Sequence, residues 1–234
     1  MKKIVLKITL LLFTITIQSQ EVEKLSKVEF YLKGVENMAK NDYSKAITYF
    51  TNALNCNYTK PTENKLDEYE IYNYRGQAHF YMKDFQNAMK DYNSAIQNSN
   101  PEEIKVEVYN NRGFLKMQLS DFRGAILDYD FVIERYHTVS KKYGIQIAST
   151  VYKELVRTAY SDKSFCNYKL KNIDEALYNS EQALIIDIND GQAYCIRGAC
   201  KYSQGKKEEA CLDFSKSGEL GYQYAYNYIK KYCN

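Results

Sequence analysis

The sequence predicts an all-α solenoid of about five helix–turn–helix repeats closed by a C-terminal capping helix, and three observations predict it. One set of landmarks recurs at fixed offsets: Gly34, Asp42, Tyr43, Ala46, Phe50 and Ala53; then Gly76, Asp84, Phe85, Ala88, Tyr92 and Ala95; then Gly113, Asp121, Phe122, Ala125, Tyr129 and Val132. Self-similarity at a fixed period is the mark of a stacked architecture. Between landmarks the apolar residues follow helical spacing, as in Ala125, Ile126, Tyr129, Val132 and Ile133, a stripe that one helix cannot bury alone. Finally, two prolines and ten glycines in 234 residues leave little material for a loop-rich fold.

The N-terminal 19 residues carry a different pattern. Lys2 and Lys3 precede an apolar run from Ile8 to Ile17, and Ile17-Gln18-Ser19 places a small residue before Gln20. A run this short falls below the ~20 residues of a membrane span and fits a secretory signal peptide. Export to a periplasm or beyond is therefore expected, with residues 20–234 forming the folded domain. Loss of Lys2, Lys3 and Lys7 leaves 29 basic and 29 acidic residues. No basic stripe of the kind a nucleic-acid binder carries is visible, and no stable membrane span remains.

The repeats are expected at about residues 27–60, 69–102, 106–139, 157–190 and 191–222. The landmark alanines Ala46, Ala88, Ala125, Ala176 and Ala210 lie 42, 37, 51 and 34 residues apart, so a 34-residue unit carries insertions. The longest insertion precedes the fourth unit and is expected to lengthen that unit's first helix, ending near Leu170. The turn between helices is read from Ser120-Asp121, with Asp121 as N-cap. Glycine inside a helix costs about 1 kcal/mol against alanine, so the recurring Gly needs a packing reason. The expected one is close helix contact, Gly76 facing Ala88 and Gly113 facing Ala125, with aromatics filling the space beyond. The fourth unit has Ser164 at the Gly place and Ser180 at the aromatic place. Tyr222, Ala225, Tyr228, Ile229 and Tyr232 form the stripe of a capping helix over 222–233.

A second correlation links three units. Arg75, Arg112 and Arg197 precede the Gly, and Asp91, Asp128 and Asp213 follow sixteen residues later. Units one and four have Lys33 with Tyr49 and Lys163 with Asn179 instead. Folding each hairpin about its turn brings the two places to one height, so an Arg–Asp ion pair is expected in each of the three units.

With Tyr72-Asn73-Tyr74-Arg75-Gly76, Tyr109-Asn110-Asn111-Arg112-Gly113 and Tyr194-Cys195-Ile196-Arg197-Gly198, the chain resembles the tetratricopeptide repeat (TPR) family from about residue 27 to 222. The resemblance implies a right-handed superhelix whose first helices line a concave, peptide-binding groove. On this chain the groove positions are Tyr31, Val35 and Met38, then Asn73, Gln77 and Phe80, then Asn110, Phe114 and Met117. Phe165 and Tyr168 follow in the fourth unit, and Tyr202 in the fifth. Tyr31 and Val35 stand where carboxylate-clamping members carry Lys and Asn, which argues against that activity.

Chemistry-bearing motifs are few. There is no phosphate loop, nucleophile elbow or His-Glu-x-x-His, so no enzyme activity and no cofactor are expected. His79 and His137 fall in different repeats, and no Cys-x-x-Cys exists, so no metal site is expected. The six cysteines, Cys56, Cys166, Cys195, Cys200, Cys211 and Cys233, permit several disulfide patterns in an exported chain. Cys211 with Cys233 would tie the cap to the last repeat; Cys200 with Cys211 competes, and buried free thiols are the alternative. The expected function is a non-catalytic exported scaffold binding a protein or peptide in its groove. The rival is a structural subunit of a cell-envelope assembly packing through its convex face, which an apolar patch on the second helices would favour.

Overall fold

Five turns of one design organise the chain. In each, a residue with positive φ precedes the N-cap of a second helix: Asn41, Lys83, Ser120 and Lys171 at +57° to +68°, and Gly205 at +81°. The left-handed conformation is costly for a side chain, yet only the fifth turn uses glycine. The caps explain how it is held in three of them. Asp42, Asp84 and Asp121 accept hydrogen bonds from the backbone N–H of Lys45, Asn87 and Gly124, satisfying helix donors that lack an internal partner.

The computed structural model describes residues 25–64, 66–99 and 106–233, and only the backbone of 145–151. The expected signal segment, residues 1–19, lies outside the described residues. Two units result, residues 1–66 and 67–234, and each is described by itself. In the first, α1 (Lys27–Ala39) pairs with α2 (Tyr43–Asn55). Ser26 and Glu29 form a complete capping box at the start of α1.

The second unit holds α3 (Glu68–Tyr81), α4 (Phe85–Gln97), α5 (Glu107–Gln118), α6 (Phe122–Tyr143), α7 (Ile145–Lys169), α8 (Ile173–Ile186), α9 (Gly191–Ser203), α10 (Lys207–Glu219) and α11 (Ala225–Tyr232). Successive helices pack as hairpins, and first helices of neighbouring repeats also touch, α3 with α5, α5 with α7 and α7 with α9. Every element described is helix, turn or loop. The long insertion does not lengthen α7 alone. It divides between α6 and α7, which meet at Gly144 with φ +91°, a conformation suited to glycine.

Packing at the recurring glycines gives the reason for them. A Cβ on Gly34, Gly76, Gly113 or Gly198 would come within 2.4–2.9 Å of ring atoms of Phe50, Tyr92, Tyr129 or Phe214. The glycine therefore makes room for the aromatic sixteen residues on, and at Gly198 the backbone carbonyl of Ala210, twelve residues on, lies 3.0 Å from the same point. Those rings are the large buried side chains of each hairpin, and close packing of this kind tolerates no added methyl.

Candidate functional site

The landmark Arg and Asp side chains meet within each hairpin as bidentate forks. Arg75 donates to the two oxygens of Asp91 at 2.8 and 2.7 Å, Arg112 to Asp128 at 3.0 and 2.7 Å, and Arg197 to Asp213 at 2.9 and 2.6 Å. The carboxylates are buried. The tyrosine three residues before each Arg lies under its guanidinium, 5.0–5.5 Å from carbon to ring centre for Tyr72, Tyr109 and Tyr194. Lys116 and Lys201 add ammonium contacts to Asp128 and Asp213 at 2.8 and 3.0 Å. Such forks fix geometry and leave these arginines committed to structure.

An open cleft of about 580 Å³ lies in the second unit. Phe114, Phe122 and Phe165 supply one set of rings, Tyr222, Tyr224 and Tyr228 another, with Gln118, Gln192 and Lys169 as polar members. Phe122 meets Phe165 edge to face at 6.2 Å. The tyrosine wall belongs to the cap. Tyr228 stacks on Phe214 at 5.0 Å, and a disulfide joins Cys211 of α10 to Cys233, 22 residues on, just beyond α11. Burial pushes the hydroxyls of Tyr222 and Tyr228 well above the usual tyrosine range, so both are neutral donors.

Of the twelve groove positions named from sequence, Phe114, Met117 and Phe165 line this cleft. Phe80 lies beside Phe114, ring centres 5.5 Å apart, Gln77 is half-buried on α3, and Tyr168 packs half-buried against α9. One position needs correction. Asn73 is buried and accepts a hydrogen bond from the Asn111 amide at 3.0 Å, because first helices of adjacent repeats approach too closely to leave it open. Tyr202 turns to the cap, its ring 4.2 Å from that of Tyr232. Asn110 is half-buried, and its Oδ1 has no hydrogen-bond partner among the described residues. Tyr31, Val35 and Met38 are half-buried on α1 of the first unit, Tyr31 lying 6.1 Å from Phe50.

Sequence reading missed the cap's contribution. Tyr222 and Tyr228 were legible as a stripe, but a stripe does not say that its far edge forms a wall. It also missed the polar layer behind the cleft. Gln192 donates to Asp162 Oδ1 at 2.8 Å and the Tyr129 hydroxyl donates to Oδ2 at 3.2 Å. Arg157 donates to Asp190 Oδ2 at 2.6 Å, whose Oδ1 accepts from Ser161 and the Ala193 N–H. Burial pushes the Asp162 carboxyl up to about 6.

Four cysteines are free: Cys56 is half-buried in the first unit, and the other three are buried and offer little reactivity. Burial pushes the thiols of Cys166, Cys195 and Cys200 up to about 12, which leaves almost no thiolate at neutral pH. Among the described residues no group of three or more His, Cys, Asp and Glu side chains could hold a metal ion, and no helix is long and apolar enough to cross a membrane.

Comparison with known proteins agrees with this geometry. Residues 69–100, covering α3 and α4, match the tetratricopeptide repeat family model. No curated protein sequence matches the chain. Among solved structures, MamA is 18% identical with a TM-score of 0.59, over 82% of this chain and 96% of that one. YrrB, described as a TPR protein with an unusual peptide-binding site, is 14% identical with a TM-score of 0.62, over 93% and 97%. PilF of Pseudomonas aeruginosa is 13% identical with a TM-score of 0.62, over 83% and 76%. At these identities the likeness carries the fold, and that fold is the all-helical TPR solenoid.

Proposed function

We propose that this chain is a non-catalytic, exported scaffold that holds a protein or peptide in the aromatic cleft of residues 67–234. The observation that carries the reading is the cleft itself, lined by two sets of aromatic rings together with side-chain amides. Rings supply apolar contact at low entropic cost, and side-chain amides can bond an extended backbone. The family-model match and the peptide-binding site named for YrrB support the same reading. Nucleic acid is a poor ligand for a chain so evenly balanced in charge.

The test is an affinity pull-down from the native envelope fraction with the chain from Gln20 onward, compared with a Phe114→Ser/Tyr224→Ser variant. Both side chains are exposed, at 37% and 66%, so the fold should persist by circular dichroism. A partner held by the parent and lost by the variant supports cleft binding; a partner held equally by both refutes it. N-terminal sequencing of the protein from its native host checks export, with a start at Gln20 expected.

One observation favours the rival. Leu127 on α6, Tyr178 on α8 and Leu212 on α10 share a register position two residues past the landmark Ala, and are 70%, 54% and 72% exposed. Ile185, two turns beyond Tyr178, is 75% exposed. An apolar row on successive second helices suits packing into an assembly. Under that reading Leu127→Ser/Leu212→Ser would release the partner while the cleft variant keeps it.

A further inference from the structure

We infer that the cleft selects an internal peptide segment in which an acidic side chain neighbours an aromatic one, with Lys169 reading the acid. This rests on the cleft reading above and specifies its ligand. Lys169 is the one charged side chain among the described residues lining the cleft, and no acidic side chain lines it. Its ammonium lies 5.2 Å above the Phe165 ring, and among the described residues no carboxylate lies within ion-pair reach of it. Other lysines on the first helices of this unit, at other repeat positions, are bound to carboxylates. Lys116 and Lys201, each three residues past the repeat's Gly, are bound to Asp128 and Asp213, and Lys163 to Asp130.

The charge balance of the cleft is thus one cation on an otherwise neutral aromatic surface, which complements a single anion. Position decides which anion. Lys169 ends α7 and is exposed, while Phe165, one turn earlier, is half-buried among the rings. An aromatic side chain entering the cleft would leave its sequence neighbour near the rim, at the ammonium. A chain-terminal carboxylate is a poorer fit, because its capture calls for several converging donors and this rim offers one cation. The Phe165 face holds the ammonium by cation–π attraction and so pre-positions it for the acid.

The probe is an array of end-capped dodecapeptides with one fixed Phe or Tyr, whose neighbours are varied over Asp/Glu, Asn/Gln and Lys/Arg. Bound chain is read by antibody, and leading sequences by fluorescence anisotropy. A preference of about threefold for acid over amide is expected, the size of an exposed ion pair, falling as salt is raised. Lys169→Gln should abolish the preference while leaving aromatic dependence, and Lys169→Glu should turn it toward Lys/Arg. Aromatic-dependent binding without acidic preference, or a preference untouched by Lys169→Glu, overturns this inference but leaves the cleft reading standing. A requirement for an uncapped C-terminus assigns the anion to a chain end and overturns it as well. Absence of binding to any aromatic peptide, in parent and Phe114→Ser/Tyr224→Ser variant alike, removes both.

Discussion

Repeats three and four are neighbours built on one frame, yet their polar groups are directed differently. In repeat three the bonds cross the hairpin: Arg112 and Lys116 on α5 close on Asp128 of α6, and Gly113 admits the ring of Tyr129, while Arg112 also donates to Asn93 of repeat two at 2.8 Å. In repeat four the same places hold Lys163, Asn167, Asn179, Ser164 and Ser180, and none of these crosses its own hairpin to the partner place. Lys163 reaches back to Asp130 on α6 at 2.6 Å. Asn167, Ser164, Asn179 and Ser180 bond backbone carbonyls of their own helices. The strong contacts of α7 run outward instead, from Asp162 to Tyr129 and Gln192 and from Arg157 to Asp190. One hairpin is clamped across itself as well as tied to its neighbours; the other lacks that clamp and is held by its ties to the neighbours on both sides. The landmarks of a repeat are therefore a coupled set, exchanged together.

That contrast is sharpest in its ion pairs. Arg112→Ala leaves the buried Asp128 with Lys116 alone and should cost about 3 kcal/mol, the order found when a buried pair loses one partner. Lys163→Ala removes a pair whose acid, Asp130, is 47% exposed, and should cost under about 1 kcal/mol. Urea unfolding followed by circular dichroism measures both. Equal costs would mean that the fork in repeat three is not what holds α5 to α6.

The glycine test is next in size. Gly113→Val would press a branched carbon into the Tyr129 ring, which is fully buried and cannot turn aside, at about 2–3 kcal/mol. Ser164→Ala forfeits one buried hydrogen bond to the Ser161 carbonyl, at about 1 kcal/mol. Exchange offers a cleaner test. Ser180→Tyr alone should destabilise repeat four, and adding Ser164→Gly should recover part of the loss, with a coupling of about 1–2 kcal/mol. Strict additivity in that cycle would show that the Gly and aromatic places do not act as one.

How much of this was legible in the sequence follows from range. Features set inside one hairpin were readable, since a fixed offset of sixteen couples Arg112 to Asp128 and Gly113 to Tyr129 whatever surrounds them. The close contact at the glycine was readable too, but the offset of twelve recurs just as faithfully as sixteen, and only coordinates say that a Cβ would strike the ring first. Features set between hairpins were not readable. Asp162, Gln192 and Asp190 occupy no recurring place, Asn73 looked like a groove residue until Asn111 covered it, and the tyrosine wall depends on how α11 lies over α10. The left-handed Lys83 and Lys171 carried no turn signal, because lysine is an ordinary choice nowhere near such a conformation.

The smallest expected effect concerns the stitching itself. Asp162 lies between repeats three, four and five. Tyr129 from α6 and Gln192 from α9 donate to it, the Asp190 carboxylate raises its proton affinity and the Arg157 guanidinium lowers it. Loss of water is the largest influence and raises its pKa from 3.8 to about 6. The folded chain therefore binds this proton more tightly than the unfolded one. The cost of burying the anion is full above pH 6 and is relieved as pH falls through 6 toward 4, so this carboxyl alone should add on the order of 1 kcal/mol between pH 7.5 and 5. Carboxylates with lowered pKa, such as Asp42 and Asp84, act with the opposite sign at lower pH, and only a difference isolates Asp162. The measurement is urea stability at both pH values for the parent and for Asp162→Asn, which keeps the shape and removes the charge. The parent should gain on the order of 1 kcal/mol more than the variant on acidification. An equal response in both would mean that the anion between the repeats is solvated, and that repeat four is joined to its neighbours by its apolar contacts and the Arg157–Asp190 and Lys163–Asp130 pairs instead.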